Sequence, residues 1–398
     1  MQSALKPYAT AGVAILGASF LAVTPVATPA SSLSAVRDVA LTADGSVFGD
    51  FMAPWLAQYN IAAENATVLA NNFYLAPGVG LQQIIANLTD YAQQLADDPT
   101  KLAAITMQMQ EDLKAVNDAY TLWDAGQSTI DATTLHTVNA SDLSTLFFGH
   151  DLILQLLPQF LPADVDPELV TPIVNFMASP ASAMIMGMLG PSLSPWVALM
   201  NSISDGDGLN ETMANMVGAY FNGATLNLDS LLPLIADSGF LPEGTTISHL
   251  EFALGGLFTT GSVGQHAYEL FDSSGNVVHS IQAVGGSMFN ALGLTLGTSI
   301  LPGLTIELAG QPVGPIAAWE AWSQTVAGLL DGGKGVSPWA WDGKNGGTPP
   351  PALPPLTGGS LPLIPTDIFD DGGAPGGADA AGFDLADIAA AFGVEIPA

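Results

Sequence analysis

Apolar residues in the first third of the chain recur at intervals of three and four. Phe48, Phe51, Met52, Trp55, Leu56 and Tyr59 keep this spacing, and so do Leu81, Ile84, Ile85, Leu88, Tyr91 and Leu95. It is the period of an amphipathic helix. Pro77-Gly78 separates the two segments, and Asp97-Asp98-Pro99 ends the second. A third helix is expected over about 99–122. Asp98 would cap it, and Pro99 would take the first helical position, where a missing N–H costs nothing.

The pattern changes over 169–204, where 36 consecutive residues include no Asp, Glu, Lys, Arg or His. Pro172, Pro180, Pro191 and Pro195 cut the run, and its longest Pro-free piece holds 10 residues. That is about half of the roughly 20 residues a spanning helix needs. An interior Pro also costs a helix about 3 kcal/mol. Short buried helices joined by Pro turns are therefore the expectation. Met177, Met184, Met186, Met188 and Met200 make the region soft and uncharged, able to meet another subunit or lipid.

After Asn222 the period shortens to two. Thr225-Leu-Asn-Leu228 alternates, Asp229 can cap a short helix, and 247–254 alternates with Leu250, Phe252 and Leu254 on one face. Two further strands, 267–271 and 277–281, flank Asp272-Ser-Ser-Gly-Asn276, a hairpin loop in which Gly275 can take positive φ. Leu292, Leu294 and Leu296 alternate with Gly and Thr, and Pro302-Gly303 turns the chain into 304–308. The reading is one antiparallel sheet of five or six short strands with one apolar face. A closing helix over 315–330 follows it. The fold class expected is α+β.

The two ends differ from this body. Lys6 is followed by an uncharged, Pro-free stretch from Tyr8 to Thr24, then by small residues at Ala27, Ala30, Ser31 and Ser32. That is the layout of a secretory signal over 1–30. At the other end, 331–377 holds 12 Gly and 9 Pro, so no core can form there. One short amphipathic helix, 384–392, is expected in the tail. The organisation is thus a signal peptide (1–30), a mainly helical region (31–222), an antiparallel sheet plus helix (223–330) and a Pro/Gly-rich acidic tail (331–398).

Composition narrows the function classes. Of 398 residues, 37 are Asp or Glu and 6 are Lys or Arg, a formal net charge of −31, while 48% are hydrophobic. Nucleic-acid binding is excluded, because phosphate neutralisation needs clustered bases. Without Cys there is no disulfide framework, Cys-ligated metal or thiol nucleophile. His136, His150, His249, His266 and His279 are scattered and form no ligand pair on one helix. Gly285-Gly-Ser287-Met-Phe lacks the second Gly of a nucleophile elbow, so His150-Asp151 has no serine partner. Asp205-Gly-Asp207-Gly-Leu-Asn210-Glu211 resembles half of a calcium loop but lacks its Gly at position six and Glu at twelve. No phosphate-binding Gly loop is present. The residues offer no catalytic, cofactor-binding or metal-ligating set, and an enzyme is not expected.

Several phrases carry a resemblance. The opening Met1-Gln-Ser-Ala-Leu-Lys-Pro-Tyr-Ala-Thr looks like an export leader of mycobacterial envelope proteins. Asn71-Asn-Phe-Tyr-Leu-Ala-Pro-Gly78, Met188-Leu-Gly-Pro-Ser-Leu-Ser-Pro-Trp196, Phe221-Asn-Gly-Ala-Thr-Leu-Asn-Leu-Asp229, Ala283-Val-Gly-Gly-Ser-Met-Phe-Asn290 and Gly314-Pro-Ile-Ala-Ala-Trp-Glu320 resemble the actinobacterial outer-membrane porin family GjpA. The resemblance covers about residues 1–330 and assigns no residue a role. It implies a channel for small hydrophilic solutes through the outer lipid layer, and abundant carboxylates would favour cations. A transmembrane barrel needs about 8 strands of roughly 9–11 residues. Five or six shorter ones would serve only in a homo-oligomer that pools its hairpins. The other expectation is a non-enzymatic secreted or wall-associated protein that meets membrane or cell-wall lipids.

Overall fold

The computed structural model describes residues 45–140, 149–156, 166–237, 241, 244–271, 274–298 and 305–330. The expected signal segment, the Pro/Gly tail and the expected 384–392 helix lie outside them.

The first three helices form where the apolar spacing puts them: α1 (Gly45–Leu75), α2 (Val79–Asp97) and α3 (Leu102–Thr121). Gly78 separates α1 from α2 at φ +56°. Asp98 caps the next turn through its carboxylate, which accepts from Thr100 N at 3.0 Å, and Pro99 begins that turn. Leu122 ends α3 in the left-handed region with its side chain fully buried. Then come α4 (Gln127–Thr134), α5 (His150–Leu156), α6 (Pro167–Met177), α7 (Pro180–Asp205) and α8 (Leu209–Asn222).

Helix α7 corrects the expectation of short pieces, since its 26 residues run unbroken through Pro191 and Pro195. Pro180 sits at its first position, after Ser179, whose Oγ accepts from Ser182 N at 3.2 Å. Pro191 withholds a donor from the carbonyl of residue 187, four back, and that residue is Gly. The compensation is tertiary. Ala183, Met186 and Val197 of α7 enter the main core with Leu69 of α1, Leu254, Val284, Ala291, Val313, Ala317 and Ala318. A Cβ on Gly190 would lie 2.2 Å from the carbonyl oxygen of Gly255, so helix and loop meet backbone to backbone. Ser194 Oγ donates within 3.3 Å of the carbonyls of Leu254 and Gly255. Burial along α7 outweighs the local cost of its prolines; Pro54 in α1 and Pro172 in α6 also lie inside unbroken helices.

Strands β1 (Ala224–Asn227), β2 (Thr245–Leu254), β5 (Leu292–Thr298) and β6 (Thr305–Leu308) form one antiparallel sheet in the order β1-β2-β5-β6. Among the described residues, strands β3 (Tyr268–Phe271) and β4 (Val277–Ile281) pair only with each other. The hairpin was expected inside the sheet and instead stands apart from it. Gly275 turns it at φ +83°. Register in the sheet follows the alternation. Leu226, Phe252 and Leu292 align across three strands, as do Leu250, Leu294 and Leu308. A bulge between Ile247 and His249 brings Ile247 level with Leu296 and Ile306. A short helix, α9 (Leu232–Asp237), precedes β2, and α10 (Pro315–Leu330) closes the fold against α2 and α7. The architecture is α+β, helix-rich with a four-stranded antiparallel sheet.

Candidate functional site

Helix α7 has two faces of opposite fate. Ala181, Ser182, Ala183, Met186, Gly187, Gly190, Ser194, Val197, Ala198 and Ser202 are buried. Ile185, Met188, Leu189, Leu193, Trp196, Met200 and Ile203 are exposed, Met188 to 75%, Trp196 to 63% and Ile203 to 70%. At 100° per residue these seven share an arc of about 140°. From Ile185 to Ile203 the stripe runs about 27 Å at ~1.5 Å per residue. Next in sequence, α8 repeats the arrangement. Leu209, Met213, Val217 and Tyr220 are exposed on one face, while Ala214, Gly218 and Ala219 are buried. Isolated exposed apolar side chains are ordinary on protein surfaces, but a continuous stripe is not.

The turn between the two helices is the segment that resembles half of a calcium loop. Asp205 is the last residue of α7, and Gly206 follows it at φ +80°. Asp207 Oδ2 accepts from Asn215 Nδ2 at 3.1 Å. Asn210 Oδ1 accepts from Trp55 Nε1 at 2.8 Å, and Asn210 Nδ2 donates to the carbonyl of Phe51 at 2.7 Å, tying the turn to α1. The carboxylates of Asp50 and Glu211 border an open cleft of about 500 Å³ beside it, together with Ala53, Pro54, Gly208 and Asn210. Among the described residues no group of three His, Asp or Glu is arranged to hold a metal ion. The stripe thus has an acidic end and no base along it.

His136, His150 and His249 hold structure at separate places. His136 is fully buried, and its Nε2 lies 3.0 Å from the Tyr268 hydroxyl. Burial pushes it down to about 4 and pushes the Tyr268 hydroxyl up, so both are neutral. His150 Nε2 lies 2.7 Å from the carbonyl of Leu292, and burial holds its pKa below the ordinary value. Ser287 Oγ accepts from Asn290 N at 3.1 Å inside a turn. His150 and Ser287 both bond backbone of the 290–292 segment, the first at the Leu292 carbonyl and the second at the Asn290 N–H. His249 is bracketed by carboxylates, with Nδ1 2.9 Å from Asp229 and Nε2 3.3 Å from Glu251. The hydrogen bond to Asp229, then that to Glu251, raises its pKa. Glu251 Oε1 also accepts from Gly310 N at 2.8 Å. Asp229 Oδ1 accepts from Leu250 N at 2.8 Å, the main reason its own carboxyl is held low. This cluster fastens the β1–α9 connection to the sheet. His266 is exposed.

Comparison with known proteins gives no match to a family profile, a characterised protein or a solved structure. The surface itself carries the functional argument. Sequence reasoning marked the charge-free run and its methionines, but of those Met186 is buried while Met188 and Met200 are exposed. Ile185, Leu189, Leu193, Trp196 and Ile203 were missed as a surface. Their spacing was available, but no local signal says which face of an all-apolar helix the rest of the fold covers.

Proposed function

We propose that this protein is an exported component of the cell envelope that works at a lipid surface, docking through the apolar stripe of α7 with α8 beside it. The observation that carries the proposal is the stripe itself, seven exposed apolar residues with no charge among them. A secretory-type N-terminus and the resemblance to envelope proteins support the same reading. Lying in the plane of a membrane interface, such a helix gains from its buried apolar area without crossing. The test is cell fractionation with Trp196→Asp beside the parent chain. The parent should stay with the lipid fraction through an aqueous wash, and the variant should be released. Release of the parent by the same wash would overturn the proposal.

A second reading is the oligomeric channel for small hydrophilic solutes or cations that the porin resemblance implies. One observation favours it: α7 is, among the described residues, a helix long and apolar enough to cross a membrane, with 44% of its best window buried. The four strands of the main sheet, 4 to 10 residues long, fall short of the roughly eight a barrel needs, so copies would have to pool elements. Discrete, cation-selective conductance steps from the purified chain in planar bilayers would establish this reading. Silence from an oligomeric, detergent-extracted sample would remove it.

A further inference from the structure

Resting on the lipid-docking reading, we infer that the partner of the α7 stripe is an uncharged lipid surface, and that anionic lipid is rejected. Both halves of the complementarity lie in the molecule. Along the stripe the contact groups are aliphatic side chains, two methionines and one tryptophan, none able to pair with a headgroup charge. At its end stand Asp205, Asp207 and Glu211, with Asp50 lining the same cleft as Glu211. No Lys or Arg occurs anywhere between Lys114 and Lys334, a span that contains α4 to α10 and the whole sheet. Interfacial helices that bind anionic membranes place Lys and Arg on their polar face, and each base near such a surface adds attraction. Every ionised group on α7, α8 and the turn between them has the sign of the anionic lipid; the bases of α3, which packs against α7, are Lys101 at its start and Lys114, which is paired with Asp118.

The sign of the salt effect follows. Peripheral proteins held by basic patches lose affinity as salt screens the attraction. This protein is held by apolar burial, which salt does not weaken, and is opposed by repulsion, which salt screens. On a neutral surface binding is insensitive to salt. On an anionic surface it is weak at low salt and recovers at high salt.

The experiment is co-sedimentation of the full chain with two sets of vesicles, phosphatidylcholine alone and phosphatidylcholine with about one third phosphatidylglycerol. It is run at about 20 mM and about 500 mM NaCl, where the screening length falls from roughly 20 Å to roughly 4 Å. The expected result is tight binding to the neutral vesicles at both salts. On the anionic vesicles affinity should be lower by about fivefold or more at low salt, with most of it recovered at high salt. Trp196→Asp and Met188→Asp alter only exposed positions of a helix packed on its other face. Each should reduce binding to neutral vesicles by at least about tenfold, with an unchanged circular-dichroism spectrum. Equal binding to both vesicle types, or binding to anionic vesicles that salt weakens, overturns this inference while leaving lipid docking standing. No binding to either vesicle at any salt overturns both. Dimers in sedimentation velocity that Trp196→Asp converts to monomers, without vesicle binding, would assign the stripe to a second copy and overturn both as well.

Discussion

Glu320 on α10 carries a proton at neutral pH, because burial pushes its carboxyl up to about 8 against the hydrogen bond from Asn72 Nδ2 to Oε2 at 3.2 Å. Its other oxygen, Oε1, has no hydrogen-bond partner among the described residues, and neither has Oε1 of Gln324 one turn further on. Two orphaned acceptors on one helix face are a stability cost that a proton on Glu320 lessens. Above its unfolded pKa of about 4.5 the folded protein keeps a proton that the unfolded chain has released. Stability therefore falls as pH rises towards about 8 and levels beyond it. Glu320→Gln should flatten that slope and raise stability at pH 7 by ~1–3 kcal/mol, read from urea unfolding across pH. A variant with the parent's slope would show that Glu320 is ionised in the folded state. His249 works the other way in origin though not in direction. Its folded pKa is raised by the carboxylates of Asp229 and Glu251, so its contribution is complete below about 6.5 and disappears as pH rises through the raised value. His249→Ala should lower the melting temperature more at about pH 5.5 than at about pH 8.5. Equal losses at both would mean that the imidazole acts by packing and not by charge.

Between elements, contact is closest where side chains are absent. Gly190 of α7 rests on the Gly255 carbonyl, and a Cβ on Gly255 would in turn lie 2.1 Å from the carbonyl oxygen of Val313. Gly190→Ala should therefore force α7 away from the loop after β2 and cost ~2–3 kcal/mol. Gly208, at the start of α8, has no heavy atom within 4 Å of where a Cβ would stand, and Gly208→Ser should be neutral or slightly stabilising as a helix cap. Urea denaturation of the two variants side by side checks both, and similar losses would contradict the packing described. The same contrast marks how far the sequence was legible. Asp98 with Pro99, Pro77-Gly78 and the loop at Gly275 announce local geometry that their own neighbours enforce, and each stands where the pattern puts it. Pro191 and Pro195 misled, because their helix is held by residues 60 or more positions away, such as Leu254 and Gly255. Strand pairing is likewise non-local: nothing in 268–281 tells that its hairpin stays off the sheet. The candidate docking face needed the fold, since only the packing of Ala183, Met186 and Val197 inward sends Met188 and Trp196 outward.

For the whole molecule, apolar surface and one-signed charge act against each other. Exposed stripes on α7 and α8 invite copies to associate, whereas a formal net charge of −31 keeps them apart. Lowering the pH towards the isoelectric point near 4.1 removes the repulsion and leaves the stripes. Light scattering should then rise steeply, and Trp196→Asp should delay the rise. Scattering that is the same for both chains would separate the stripe from self-association. The scarcity of cations also governs how the protein can be seen at all. Trypsin cleaves after Lys and Arg, and it finds nothing to cut from Ala115 to Lys334 even in the unfolded chain. Everything from α4 to α10 emerges from such a digest as one very large peptide. Amine-directed labels and crosslinkers are equally blind to it, because lysine is the side chain they modify. A protease that cuts at Asp and Glu, or at aromatic residues, opens the same region readily. Surveys that rely on tryptic peptides will therefore undercount this protein, whatever its abundance.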